Sequence, residues 1–158
     1  MDNKEELFNQ IRNGNSKAVE ILLNNNPKFL EIQDERGSTP LLLAAYYGHV
    51  DMVEFLLDKG AQVDALDGSG NTALMGVCFK GFTPIAEKLI NAGANVNQKN
   101  AMGATCLIYA VTFNRKEIAE LLLKNGADAS VKDARGKTAM DLVMEQGNNE
   151  LEDLLKKY

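Results

Sequence analysis

The chain has 158 residues, of which 45% are hydrophobic and 25% are charged, and its formal net charge is -5. This length and composition predict a soluble globular protein that can bury a sizeable core in one domain. The acidic balance disfavours a nucleic-acid backbone or an anionic membrane surface as the main partner, because both attract basic surfaces.

The N-terminal sequence MDNKEELFNQIRNGN lacks the basic and apolar segments of a secretory signal peptide. No apolar run approaches the roughly 20 residues that span a bilayer. We therefore expect a cytoplasmic protein that is not bound to a membrane. In that reducing compartment, Cys78 and Cys106 are expected to be buried free thiols rather than a disulfide.

The first predicted element is a short helix over residues 5–13, and Gly14 ends it by adopting a left-handed backbone conformation. A second helix is predicted over 16–25, because helical spacing places three apolar side chains on one face: Val19, Leu22 and Leu23. This helix pair matches the next one at a spacing of 34 residues, with the extra residue near Pro27. We assign residues 1–33 to a modified N-terminal capping repeat.

Residues 34–66 form the clearest repeat unit. Its opening, DERG, predicts a turn, and Thr39 is placed to cap a first helix that starts at Pro40. Gly48 ends this helix. A second helix over 50–58 then leads into a short extended segment, AQVDAL.

The same unit returns every 33 residues, and a period in this range indicates a solenoid or another repeat array. We assign 67–99 and 100–132 to internal repeats, and 133–158 to a C-terminal capping repeat with a charged outer face. The presence of both end units predicts a self-contained protein. The recurring turn and cap positions are Asp34, Asp67, Asn100 and Asp133; Gly37, Gly70, Gly103 and Gly136; and Thr39, Thr72, Thr105 and Thr138.

Two asparagines stand where the array otherwise repeats a glycine. Asn114 replaces the glycine that ends the first helix of a unit, and Asn26 replaces the one that ends the second helix. Asparagine is the non-glycine residue that best tolerates the left-handed region. We therefore expect a positive φ at both positions.

The segment STPLLLAAYYGHVDMVEFLLDKGAQVD closely resembles an ankyrin repeat, and GNTAL, GATCL and GKTAM are looser copies of its opening. The resemblance covers nearly the whole chain. It implies an all-α repeat solenoid, in which antiparallel helix pairs form a right-handed stack with hairpin-like loops. The chain departs from the family pattern where a histidine is expected after T-P-L, since these positions hold Leu42, Met75, Ile108 and Asp141.

Ankyrin repeat proteins mostly bind other proteins, through their loop tips and the concave side of the first helices. Carried over position by position, the resemblance implies that another protein binds this chain at two sets of residues. On the loops these are Arg36, Ser38, Asn71, Met102 and Arg135; on the first helices they are Tyr46, Tyr47, Phe79, Lys80, Thr112 and Phe113.

Four of these residues, which we call the aromatic strip, fall just before the helix-ending positions: Tyr46, Tyr47, Phe79 and Phe113. Aromatic and methionine side chains are enriched as interface anchors, and Met102 could extend the strip. We predict that the aromatic strip is largely accessible. The alternative is that its rings pack against the next repeat as part of the core.

Catalytic and metal-binding residue types do not cluster in the sequence. His49, the single histidine, follows a helix-ending glycine and is expected to be structural, and no Cys-His pair or metal-ligand spacing is present. The segment DALDGSGN matches the calcium-loop pattern only in part. Its glycines follow no βαβ unit of the kind that binds phosphate. We predict that the chain is not an enzyme and has no cofactor.

The leading functional prediction is a non-enzymatic protein-binding scaffold, because a rigid groove loses little entropy when it binds. The partner's identity is not encoded in any residue pattern. We expect a monomer. The alternative is a structural or self-associating module that dimerises through the aromatic strip, and an enzyme or small-ligand protein is less favoured because no convergent polar cluster is present.

Overall fold

The computed structural model describes residues 2–158, and within this range the chain forms ten α-helices and one 3-10 helix, with no β-strand. The prediction of an all-α repeat fold is therefore confirmed. The helices are α1 (Asn3–Arg12), α2 (Ser16–Asn25), α3 (Pro40–Tyr46), α4 (Val50–Asp58), α5 (Ala73–Lys80), α6 (Thr83–Asn91), α7 (Cys106–Thr112), α8 (Lys116–Lys124), α9 (Ala139–Gln146) and α10 (Asn149–Lys156).

The ten helices pack in two layers. In the inner layer α1, α3, α5, α7 and α9 lie side by side, and in the outer layer α2, α4, α6, α8 and α10 do the same. Each inner helix also packs against the outer helix that follows it in the chain. The core lies between the layers, and it is continuous from Leu7 in α1 to Leu155 in α10.

The inner helices after α1 begin at capping threonines, as expected from the repeat. Each threonine hydroxyl accepts a hydrogen bond of 3.2–3.3 Å from the backbone N–H three residues further on. This bond satisfies a donor that a helix N-terminus otherwise leaves unpaired. The capping threonines are Thr39, Thr72, Thr105 and Thr138.

The structure corrects three details at the N-terminal end. Helix α1 begins at Asn3 rather than at residue 5, because the side chain of Asp2 accepts the N–H of Glu5 at 2.7 Å. Asn114 has the expected positive φ of 56°, but Asn26 has a φ of -135°, so that prediction was wrong. Proline restricts the preceding residue to extended conformations, and Pro27 opens a 3-10 helix that the sequence pattern did not indicate.

The predicted extended segment at 61–66 also differs in the structure, because it contains a turn at 63–64. Elsewhere the loops follow the predicted plan. Asp34 Oδ1 accepts the backbone N–H groups of Arg36 and Ser38, both at 2.9 Å. Asp67, Asn100 and Asp133 hold the equivalent N–H groups of their own turns at 2.9–3.0 Å. A side-chain acceptor of this kind fixes a turn that would otherwise be mobile.

Consecutive turns are joined by backbone hydrogen bonds. Gly68 donates its N–H to the carbonyl of Arg36 at 2.9 Å, and the two later junctions repeat this contact at 3.0 Å. The turns approach so closely that a Cβ atom on Gly37 would lie 2.7 Å from the backbone nitrogen of Gly68. Glycine is therefore required at this turn for the close approach as well as for its φ of 81°.

The residue that follows each helix-ending position packs back onto the preceding pair. The His49 ring covers Gly14, the Phe82 ring covers Gly48, and the Arg115 guanidinium covers Gly81. His49 also stacks on Tyr47 with 6.2 Å between the ring centroids. The single histidine therefore has a packing role, as the sequence indicated.

Cys78 and Cys106 are free and buried, so the expectation of two unpaired thiols is confirmed. Burial raises the pKa of the Cys78 thiol well above its ordinary value, and the neighbouring Cys106 side chain raises it further. A protonated thiol is a poor nucleophile. Both side chains are buried, so both cysteines contribute small side chains to the core.

The close approach of the turns can be tested with two alanine variants. Gly37→Ala and Gly136→Ala both place a side chain at a positive φ, but a Cβ atom on Gly136 would meet no atom within 4 Å. We expect Gly136→Ala to lower the free energy of unfolding by about 1–2 kcal/mol through backbone strain alone. Gly37→Ala should cost about 1 kcal/mol more, because it also disturbs the bond between turns. Chemical denaturation measures both, and equal losses would contradict the structure.

Acid should destabilise the last turn. Hydrogen bonds from the Lys137 backbone N–H and from Arg135 hold the pKa of Asp133 below its ordinary value. A carboxyl group whose pKa is lower in the folded chain than in the unfolded chain stabilises the fold at pH values above its unfolded pKa, which is near 4. This contribution is lost as the pH falls through the pKa of the folded chain. Denaturation curves at pH 7, 4 and 2.5 should show a smaller acid-induced loss for Asp133→Asn than for the unmodified chain. An unchanged loss would show that the carboxylate does not carry this dependence.

Candidate functional site

A groove of about 390 Å³ lies along the inner helices α3, α5 and α7, beside the turns that precede them. Its lining combines apolar side chains from the helices with polar side chains from the turns. The lining residues are Arg36, Ser38, Leu42, Leu43, Tyr46, Tyr47, Asp67, Asn71, Thr72, Met75, Gly76, Phe79, Tyr109 and Phe113.

The aromatic strip forms one wall of the groove as a continuous chain of ring contacts. Tyr46 and Tyr47 meet edge to face with 5.6 Å between ring centroids, and Tyr46 and Phe79 are nearly parallel at 6.4 Å. Phe79 and Phe113 meet edge to face at 4.6 Å. Such contacts fix the rings relative to one another before anything binds.

The exposure of the aromatic strip lies between the two predicted alternatives. The exposed fractions are 39% for Tyr46, 44% for Tyr47, 39% for Phe79 and 38% for Phe113. The rings are therefore not core residues. They are also less than largely accessible, because each ring packs against its neighbours in the strip and leaves about two-fifths of its surface open.

Gly76 lies in the floor of the groove, in the middle of α5. The matching position is Leu43 in α3, Tyr109 in α7 and Leu142 in α9. A side chain is therefore missing at a position of α5 that lines the groove. The sequence prediction overlooked this residue, although a glycine inside a helical segment and out of register with the repeated glycines was a usable signal.

Side-chain hydrogen bonds hold the Tyr109 ring in the groove lining, where it stacks on Phe113 of the aromatic strip with 6.3 Å between ring centroids. Asn100 donates from Nδ2 to Asn71 Oδ1 at 2.9 Å and to the hydroxyl oxygen of Tyr109 at 2.8 Å. The other turns have an aspartate at the position of Asn100, and an aspartate has no hydrogen to donate there. The asparagine therefore fixes the Tyr109 ring across two adjacent turns, a role that the repeat pattern alone did not reveal.

Two cations border the groove without a salt-bridge partner among residues 2–158. The exposed side chain of Arg36 is one, and Lys80 is the other. Lys80 places its Nζ atom 5.0 Å from the centre of the Tyr46 ring, which is within cation–π range. The carboxylate of Asp67 also lines the groove, but its Oδ1 atom accepts the N–H groups of Ser69 and Asn71 within its own turn.

The structure brings seven of the eleven predicted site residues together but leaves four outside the groove lining. Lys80 lies at its edge, over the Tyr46 ring. Met102 is 69% exposed on its turn. The Thr112 hydroxyl donates to the carbonyl of Ile108 at 2.7 Å, within its own helix. Arg135 pairs with Asp133 at 3.0 Å on the last turn.

A second cavity of about 850 Å³ adjoins the groove and shares Arg36, Leu43 and Tyr47 with its lining, but most of its surface is polar. Within residues 2–158, no group of three or more histidine, cysteine, aspartate or glutamate side chains could hold a metal ion. Every helix in the same range is too short or too polar to cross a bilayer. Of the two cavities, the groove has the more apolar lining and contains the whole aromatic strip, which makes it the stronger candidate for a site that binds apolar side chains.

The sequence matches a family model described as ankyrin repeats (3 copies), over residues 5–67 and 62–133. Among curated proteins, it is 41% identical over 73 residues to protein fem-1 homolog C from Xenopus laevis, which is 44% of this chain and 12% of that protein. It is 45% identical over 74 residues to protein fem-1 homolog A from Danio rerio, again 44% of this chain and 12% of that protein.

A third relative is ankyrin repeat and SAM domain-containing protein 6 from Mus musculus, which is 31% identical over 64 residues, or 40% of this chain and 7% of that protein. The matched region thus spans about a tenth of each relative. The family model covers most of the chain, and the stacked helix pairs agree with it. The chain belongs to the ankyrin repeat family, whose repeats are typically protein–protein interaction modules and are usually non-enzymatic.

Proposed function

We propose that the chain is a non-enzymatic protein-binding scaffold and that the groove along α3, α5 and α7 holds its partner. The observation that carries this proposal is the aromatic strip, four contacting rings that each keep about two-fifths of their surface open. Exposed aromatic rings beside polar turn residues are typical of the anchors that dominate binding energy at interfaces.

The groove is rigid before a partner arrives, which favours binding. Its turns are fixed by side-chain acceptors and joined to one another through their backbones. Its aromatic lining is fixed by contacts between rings and by the hydrogen bonds of Asn100. A surface that is already ordered loses little conformational entropy on binding, so more of the contact energy contributes to affinity.

Self-association through the aromatic strip is the competing proposal, and the size of the strip argues against it. A stable interface buries roughly 1,200–2,000 Å² in total. Four rings that are already more than half covered supply only part of that area. A dimer would have to recruit the turns as well, so we propose a monomer that binds a different protein.

The test is capture of proteins from a lysate of the source cell on three immobilised forms of the chain. These are the unmodified chain, a triple variant Tyr46→Ala, Phe79→Ala, Phe113→Ala, and a control variant Ile21→Ala, Tyr158→Ala. The control side chains are exposed and apolar but lie outside the groove. We expect a protein that is captured by the unmodified and control forms and lost by the triple variant.

Each form must first show the helical circular-dichroism spectrum and a cooperative melting curve. Equal capture by a folded triple variant would remove the aromatic strip from the site. If the triple variant does not fold, Phe79→Ser alone replaces it, because one ring at the surface of the strip is removed without opening the core. Sedimentation of the unmodified chain at several concentrations would contradict the monomer if the mass rose with concentration.

A further inference from the structure

Gly76 is not needed by the fold. A Cβ atom built on it would lie 3.5 Å from Cδ2 of the Tyr46 ring, which is an ordinary van der Waals contact. It lies inside α5, where glycine destabilises a helix relative to alanine because its backbone loses more freedom on folding. The structure therefore retains a destabilising residue where a side chain would fit, and that residue is in the floor of the groove.

The missing side chain determines what the groove can accept. The other inner helices carry a leucine or a tyrosine at the position of Gly76. A side chain of that size in α5 would extend into the groove. Without it, the groove stays open above Gly76 beside the Tyr46 ring, and the volume of the whole groove, about 390 Å³, lies within the range of ordinary ligand pockets. Most of the surrounding surface is apolar, which suits one aliphatic or aromatic side chain from a partner.

The charges around this opening indicate which residues would flank that side chain in the partner. The chain carries a net charge of -5, yet Arg36 in the groove lining and Lys80 over the Tyr46 ring are both positive and form no salt bridge within residues 2–158. Asp67 is the one carboxylate in the lining, and the N–H groups of its own turn already surround it. Glu35 is next to Arg36 in the chain but lies outside the groove lining and forms no salt bridge within the described residues.

We propose that the groove selects an extended acidic peptide segment, which inserts one apolar side chain above Gly76 and pairs its flanking carboxylates with Arg36 and Lys80. This inference rests on the proposed protein-binding function and narrows it to one class of partner. Gly76 is then the residue that determines specificity, and the two cations set the sign of charge that the groove accepts.

The first consequence concerns stability. Gly76→Ala should raise the melting temperature by about 2–3 °C, since alanine is the better helix former and its methyl group has room. Differential scanning calorimetry measures this shift. A fall in the melting temperature would show that the fold itself requires glycine here, and the argument for a functional opening would be lost.

The second test identifies the accepted peptide. A random library of 12-residue peptides displayed on phage is selected against the immobilised chain, and an enriched peptide is then synthesised with a fluorescein label. Its affinity is measured by fluorescence anisotropy for the unmodified chain and four variants. These are Gly76→Leu, Arg36→Gln, Lys80→Gln and the control Lys157→Gln, which removes an exposed cation that forms no salt bridge within the described residues and lies outside the groove lining.

We expect enriched peptides with one large apolar residue between acidic residues. Gly76→Leu should weaken binding at least tenfold because it fills the opening. Arg36→Gln and Lys80→Gln should each weaken it severalfold and reduce its salt dependence, and Lys157→Gln should leave it unchanged.

Enrichment of basic or uncharged peptides that still depend on Gly76 would overturn the acidic preference, while the groove would remain the protein-binding site. Enrichment of no peptide that depends on Gly76 would overturn the inference entirely. In that case the proposed function is decided separately, because capture from lysate depends on the aromatic strip and not on the composition of a short peptide.

Discussion

The backbone hydrogen bond between consecutive turns is the contact on which the rest of this structure depends. It forms only because each turn is fixed from within by one aspartate or asparagine oxygen and because glycine allows the next turn to approach. The bond sets the distance between neighbouring helix pairs at the end where the turns lie. Helices that start a few residues later, at capped threonines, are then held in register along the whole inner layer.

This alignment of the inner helices brings side chains from different repeats together into one site. The aromatic strip draws its rings from the C-terminal ends of three neighbouring inner helices. Tyr46 and Phe79 occupy the same repeat position, and Tyr47 and Phe113 occupy the next one, so the regular stacking of the helices brings the rings into contact. The repeated residues therefore build the frame, and the residues that differ between repeats make the groove. Where one repeat has no side chain at Gly76, the frame keeps the resulting space open instead of collapsing into it.

Most of the fold could be predicted from the sequence, because each cap and turn is encoded within a few residues. Thr39 and Asp34 act on neighbours that lie two to four residues away, and the structure places these bonds as expected. The prediction of a positive φ for Asn26 was wrong, because the following Pro27 restricts its backbone conformation. The groove was only partly predictable: the ring positions followed from the repeat, but the bond from Asn100 to Tyr109 and the opening at Gly76 depend on packing between repeats.

The asparagine at position 100 has a further consequence. The other three turns have an aspartate there, whose carboxylate only accepts hydrogen bonds, whereas the amide of Asn100 accepts through Oδ1 within its own turn and donates through Nδ2 to Asn71 and Tyr109. The turn at Asn100 is thus the one turn of the four whose closing side chain also donates hydrogen bonds to residues of the groove. A single amide group couples one turn, its neighbour and an inner helix.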